Sequence, residues 1–147
     1  MADASRIAAA HVASANDAYA PLAAQWAAVD LTEHTEAWSA TLASGPGVVW
    51  VAASLDGFVH GGPARRTEPG VSHEVYAIHV LPAQRGTGLG AALWTAIRDE
   101  LGGALYVDTL AELPCCRFYE RHGGERIEER PTDFRGAART HVTYRFR

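Results

Sequence analysis

The chain has 147 residues, 48% of them apolar and 20% charged, with a formal net charge of −4, the composition of one globular domain rather than of a disordered or fibrous chain. The acidic balance argues against nucleic acid as a principal ligand, because such binders usually carry a basic patch that neutralises phosphates. No apolar window approaches the roughly 20 residues of a membrane span, no signal-peptide pattern opens the chain, and the adjacent Cys115 and Cys116 cannot build a disulfide framework, so a cytoplasmic setting is expected.

Residues 5–19 are alanine-rich, with Ile7, Ala10, His11, Ser14, Ala15 and Ala18 at helical spacing, and Pro21 ends the pattern. A second helix is expected from Asp30, where Asp30 and Glu33 have capping-box spacing and Leu31, Trp38 and Leu42 form one apolar stripe. Gly45-Pro46-Gly47 stops it. Residues 48–54 read as a strand, Asp56-Gly57 as a hairpin turn and residues 58–63 as the return strand, with a polar loop at 65–70.

Residues 74–81 form an apolar run of strand type that breaks at Pro82. A glycine-rich loop follows, then a helix over 88–101 whose Leu89, Leu93, Ala96, Ile97 and Leu101 recur every three to four residues, closed by Gly102-Gly103. Residues 104–110 are another strand, which completes a right-handed and therefore parallel βαβ unit. Pro114 opens a helix to His122, and residues 125–130 and 139–146 read as a closing hairpin with Pro131, Asp133 and Gly136 between them. The expected class is α/β (α+β), a single domain with a mixed central sheet and helices on both faces.

The loop Gln84-Arg85-Gly86-Thr87-Gly88-Leu89-Gly90 places glycines at alternate positions, so the chain turns tightly and its N–H groups stay uncovered by any Cβ. The helix start behind it adds unpartnered N–H groups and a positive dipole end, which favours an anion, phosphate above all. A P-loop requires lysine, and all thirteen basic residues are arginine. A dinucleotide fingerprint requires G-x-G-x-x-G after the first strand, whereas these glycines run G-x-G-x-G some eighty residues into the chain.

The pattern V-x-P-x-x-R/Q-G-x-G-x-G/A, carried by Val80, Pro82, Gln84, Arg85, Gly86, Thr87, Gly88, Leu89 and Gly90, resembles the coenzyme A loop of the GNAT superfamily of N-acetyltransferases. Downstream, Arg117-Phe118-Tyr119-Glu120-Arg121-His122-Gly123 resembles the R-F-Y-E-K/R-x-G segment of the same family. The resemblance is good over residues 47–124. It implies a GNAT-like acyl-CoA N-acyltransferase fold, acetyl-CoA as co-substrate, a small-molecule or peptide amine as acceptor, no metal, and an acceptor site bordered by the first two helices. The family begins with a strand, for which residues 1–4 are too few. Either the start is misassigned or the sheet is one strand short; in the second case strand 48–54 is an exposed edge, which a second copy in a homodimer is expected to cover.

The reaction requires a neutral nucleophile, a polarised thioester carbonyl and a proton for the departing thiolate. The resemblance assigns Glu74 as candidate base, with His73 and His79 as alternatives, and Tyr119 as the acid that protonates sulfur. Val80 is expected to offer its N–H to the thioester carbonyl while Ile78, His79 and Val80 pair with the pantetheine amides as an added strand. That pairing requires the two parallel strands to splay, with a bulge near Ala77. Arg85 supplies charge for the pyrophosphate, and Glu112 stands where the family commonly has an asparagine that holds the cofactor. Cys115 lies at a helix N-terminus, which lowers a thiol pKa, although an acyl-cysteine route is disfavoured. Among the tryptophans, Trp26 and Trp38 are candidates to line an acceptor cleft, with Trp50 and Trp94 read as core or pocket wall. Two rival functions remain. One is a non-catalytic acyl-CoA-binding module, suggested by Glu112 and the short start. The other is an enzyme for a protein N-terminus or a ribosomal protein, which a wide acidic cleft between Trp26 and Trp38 would favour and a closed pocket would not.

Overall fold

The computed structural model describes residues 2–27 and 29–147. Its elements are α1 (Ala2–Tyr19), a 3-10 turn (Ala20–Leu22), α2 (Leu31–Ser44), β1 (Val48–Val51), β2 (Gly57–Glu68), β3 (Val71–Val80), α3 (Leu89–Leu101), β4 (Leu105–Leu110), α4 (Cys115–Arg121), β5 (Glu125–Phe134) and β6 (Ala137–Phe146). The six strands lie in the order β1-β2-β3-β4-β6-β5. Only β3 and β4 run parallel, joined through α3, and the other neighbours are antiparallel.

Alternation along the strands divides the core in two. On one face, Val59, Val75, Leu105, Val107, Val142 and Phe146 pack against Leu93, Trp94 and Ile97 of α3 and Tyr119 of α4. On the other, Phe58 with Val49, Val51 and Ala77 packs against Ala4, Ile7 and Ala8 of α1 and Trp38 of α2. Helices therefore cover both faces of a mixed sheet. The buried packing of α1 and α2 lies on the β1–β3 side, with only the end of α1 reaching β5 where Tyr19 meets Phe134, and the β4–β6 side of their face carries polar residues such as Asp108, Glu128 and Thr143.

Several expectations are corrected in detail. Met1 of the 1–4 leader lies outside the described residues; Ala2–Ala4 is helix, and among the described residues no strand precedes α1. Asp30 caps α2 as expected, its Oδ1 accepting from Thr32 N at 2.7 Å and Glu33 N at 2.9 Å. The apolar stripe on α2 fails, however: Trp38 is buried, but Leu31 and Leu42 are 48% and 45% exposed, because α2 overlies the sheet margin and a single large side chain suffices to dock it. β1 ends at Val51 instead of residue 54, since the chain turns through Leu55 at φ +61. β1 forms the sheet margin, with Trp50 44% exposed.

Two segments read as loops are strand. Residues 65–68 extend β2, because Arg65 and Arg66 find carboxylate partners across the sheet. The closing hairpin extends to Phe134 and Ala137 around Arg135 (φ +50) and Gly136 (φ +80), a two-residue turn whose positive dihedrals match strand twist. Pro131 is tolerated there because β5 is the other margin of the sheet, where a missing N–H removes no ladder bond.

Candidate active site

β3 and β4 pair only at His73↔Leu105 and Glu74↔Tyr106. Beyond that rung the strands part, and the β4-facing edge of β3 from Val75 to Val80 has no strand partner. The cause is visible on the other side of β3. Its register with β2 slips between Val75↔Gly61 and Ala77↔His60, leaving Tyr76 as the extra residue of a bulge. The expected bulge near Ala77 and the splay are both present, and together they bring Ile78, His79 and Val80 to an open backbone edge.

The loop closes the wide end of this opening. Gln84 N, Arg85 N and Thr87 N donate back to Leu81 O, Pro82 O and Gln84 O, so these three expected free donors are used inside the turn. Gly86, Gly88, Leu89 and Gly90 are left, and α3 has no side-chain cap. Gly86 (φ +79) and Gly88 (φ +93) occupy the left-handed region that glycine tolerates, and a Cβ at either would meet open space. The outcome is a shallow seat of backbone N–H groups at the start of a thirteen-residue helix. Arg85 stands beside it, its Nη1 2.5 Å from Asp17 Oδ2 on α1 and its Nε 3.4 Å from Val80 O.

α4 covers the opening from the opposite side. Tyr119 is 4% exposed and rests among the rings of Trp94, Phe118 and Tyr144. Its hydroxyl has no hydrogen-bond partner among the described residues, and burial, with Cys115 and Tyr19 nearby, pushes its pKa well above that of a free phenol. It stays protonated with its proton uncommitted. Cys115 departs from expectation: hydrogen bonding with Cys116 and burial push its thiol up rather than down, outweighing its place as the first residue of α4. Glu112 does not face the seat but ties the loop before α4 to β6, its Oε1 accepting from Thr140 N at 3.0 Å.

Glu74 sits at the closed end of the splay and is 2% exposed. Its carboxylate accepts from Arg65 N (3.1 Å), from the Arg65 guanidinium and from Tyr106 Oη (2.7 Å). Burial raises its pKa, but those hydrogen bonds outweigh burial and hold it below the usual carboxylate range. His73 faces away and pairs with the Ser72 hydroxyl at 3.0 Å. His79 lies under α1, with Nδ1 3.1 Å from Ser14 Oγ, which itself donates to Val80 O at 3.4 Å. Burial, then the neighbouring His11 and Arg85, lowers His79 to about 3.

On the α1 side a cleft of about 560 Å³ is lined by residues that include His11, Ala15, Tyr19, Trp26, Asp30 and Phe134. Trp26 lines it as expected, whereas Trp38 belongs to the core. Its outer lip is bridged: Gln25 N donates to Arg135 O at 3.1 Å, Arg139 Nε donates to Leu22 O at 2.8 Å, and the Arg135 guanidinium lies 4.5 Å from the centre of the Trp26 ring. Sequence reasoning missed Ser14, Asp17, Tyr19, Arg65, Tyr106 and Arg135. None carried a local signal, because each acts through a partner outside its own stretch of sequence, nine residues away across a hairpin for Arg65 and farther for the others.

Comparison with known proteins adds to this geometry. A family model described as "Acetyltransferase (GNAT) domain" matches residues 45–123. Among solved structures, the chain resembles a GNAT-family protein of Desulfovibrio desulfuricans (22% identity, 99% of this chain and 92% of that one, TM-score 0.69). It also resembles a ribosomal-protein-alanine N-acetyltransferase of Brucella melitensis (19%, 99% and 94%, TM-score 0.70). A third is a Salmonella typhimurium protein solved with its cofactor acetyl-CoA (18%, 98% and 88%, TM-score 0.68). At these identities the structures establish a shared fold. No curated protein matches the chain.

Proposed function

Because the chain belongs to the acetyltransferase (GNAT) family, we propose that it is an acetyl-CoA-dependent N-acetyltransferase that acts on an amine by direct attack within a ternary complex. The observation that carries this reading is the coincidence of an unpaired β3 edge with a seat of free N–H groups at the start of α3. The first suits amide pairing along a pantetheine arm, the second a diphosphate. Bound acetyl-CoA supplies an activated acyl thioester. Gly86, Gly88, Leu89 and Gly90 hold its diphosphate with Arg85, and Gln84 and Thr87 shape the turn. Ile78, His79 and Val80 orient the arm, Val80 N–H faces the thioester carbonyl, and Tyr119 gives its proton to the departing sulfur.

Glu74 receives a different emphasis from the one the resemblance implies. A carboxylate that already accepts from Arg65 and Tyr106 is a poor proton acceptor, so its part in this reading is to fix the rung from which the splay opens. Glu112 is likewise a brace between the α4 approach and β6. The bridged lip of the cleft favours a small amine over a polypeptide terminus, which would need an open trough.

The test combines calorimetry with thiol-release assays across amines. Acetyl-CoA should bind the wild-type protein and Tyr119→Phe alike, and the variant should release coenzyme A about 100-fold more slowly. Binding without turnover on any amine would support a non-catalytic acyl-CoA-binding module instead, and no binding would remove the assignment.

A further inference from the structure

We propose that the acceptor is a zwitterion, a small molecule with an amine at one end, a carboxylate at the other and an apolar body between them, and that Arg135 holds the carboxylate. The inference rests on the N-acetyltransferase reading and names the substrate class for it. It starts from charges that the cleft leaves unspent.

The cleft of about 560 Å³ takes Tyr19 from the end of α1, Trp26 from the stretch that follows, Asp30 and Glu33 from the start of α2, and Phe134 and Arg135 from the β5–β6 turn. The Tyr19 and Phe134 rings lie 5.6 Å apart, and the Trp26 ring is fixed by its Nε1, which donates to Asn16 Oδ1 at 2.9 Å. Aromatic walls of this kind suit an apolar body. The Arg135 guanidinium rests 4.5 Å from the centre of the Trp26 ring and has no carboxylate or hydrogen-bond partner among the described residues. The Glu33 carboxylate is likewise unpaired among them, while Asp30 caps α2 through Oδ1. A cleft that keeps a free guanidinium and a free carboxylate without joining them is complementary to a ligand of both signs.

Charge also decides against other small amines. A diamine would bring its second ammonium against Arg135, and a simple amine would leave that guanidinium idle. A carboxylate matches its planar fork, which stacking on Trp26 already orients. His11 adds no competing charge, since burial, then His34, lowers it to about 4. The amine end has a place as well. His11 and Ala15 of α1 line the cleft and flank Ser14 in sequence; Ser14 Oγ donates to Val80 O at 3.4 Å, and the His11 ring lies 4.5 Å from that of His79. The cleft thus ends at α1 residues whose neighbours are His79 and Val80, the stretch of β3 assigned to the thioester.

The test assays pairs, each an amino acid with the amine left when hydrogen replaces its carboxylate: phenylalanine with phenethylamine, leucine with isoamylamine, tryptophan with tryptamine. In at least one pair the amino acid should show a KM about 10-fold or more below its partner's. Arg135→Asn, in which asparagine accepts the φ of +50, should erase that difference through KM rather than kcat, and Arg135→Lys should keep part of it. Calorimetry on protein saturated with coenzyme A, which cannot react, should give the same ranking without turnover. Equal or better use of the decarboxylated amine in every pair, an Arg135→Asn loss shared equally by both members, or no binding of any amino acid would each overturn the zwitterion. Acetyl-CoA binding with thiol release on other amines would leave the N-acetyltransferase reading intact in those cases. Failure of the wild-type protein to bind acetyl-CoA would remove both.

Discussion

Tyr106 Oη donates a 2.7 Å hydrogen bond to Glu74 Oε2 across the last rung at which β3 and β4 are paired. The phenol comes from β4, the carboxylate from β3, and Arg65 of β2 clamps the same carboxylate from the other side. Three strands are thus pinned at the point from which the ligand-sized opening begins. Glu74→Gln removes the charge these donors share and should lower stability by about 2 kcal/mol. Its kcat should fall by less than about 10-fold, since the carboxylate already accepts from both neighbours. A loss beyond about 1,000-fold with a displaced pH optimum would return Glu74 to the role of base.

Arg85 and Asp17 form a second long-range pair, both about half exposed, at 2.5 Å. A diphosphate seated at the α3 start competes with Asp17 for that guanidinium. Asp17→Asn should tighten acetyl-CoA binding up to about 5-fold, the range of an exposed ion pair. Arg85→Ala should weaken it about 10-fold and flatten its salt dependence. Calorimetry at two ionic strengths checks both.

Gly90 offers a cleaner probe of the seat than its neighbours do. A Cβ there would lie 3.6 Å from Phe118 Cε2 and 3.8 Å from Val80 Cγ2, ordinary contacts, and its φ is not positive. Gly90→Ala should therefore fold with equal or higher stability, by up to about 1 kcal/mol. If the diphosphate closes on the first turn of α3, the same methyl should weaken acetyl-CoA about 10-fold. An unaltered dissociation constant would place the diphosphate elsewhere.

Acid should unfold this protein early. Burial lowers His79 to about 3 and, with His34 nearby, His11 to about 4, so both imidazoles are neutral in the folded state. The unfolded chain takes up these protons near pH 6.5 and the folded one does not. Their stabilisation is complete above about pH 6.5 and is lost as pH falls toward 4 and 3. By pH 4.5 His79 alone accounts for on the order of 2–3 kcal/mol, and partly solvated His11 adds less. Glu74, held below the carboxylate range, acts in the same direction at still lower pH. Thermal midpoints from pH 7.5 to 4.5 should fall steeply, and His79→Gln, which can still donate to Ser14, should shallow the slope; parallel curves for the two proteins would contradict the assignment.

What the amino-acid order determined by itself was local. The strand over Val75–Val80, the glycine turn, the amphipathic α3 and the Asp30 cap depend on periodicity, dihedral freedom and hydrogen bonds within a few residues, and all are present. Arg65, Arg66 and residues 131–134 looked like loop because polarity and a proline outweigh β-propensity in a local window, and only the ladder and the carboxylates opposite them make them strand. The exposure of Leu31 and Leu42 was likewise invisible, since helical spacing marks a face without saying how much sheet lies beneath it.

The site divides along the same line. Its glycine turn, with the N–H groups of Gly86, Gly88, Leu89 and Gly90, comes from contiguous sequence and was legible, whereas the open edge of β3 was expected from the resemblance and depends on where β2 and β4 pair with it. The side-chain half was decided by tertiary pairing: Tyr106 on Glu74 from 32 residues away, Asp17 on Arg85 from 68, and the ring of Tyr19 beside that of Phe134 at the far margin of the sheet. A phenol or a carboxylate takes its protonation, and therefore its chemistry, from what faces it, and the strand order together with the docking of α1 sets that.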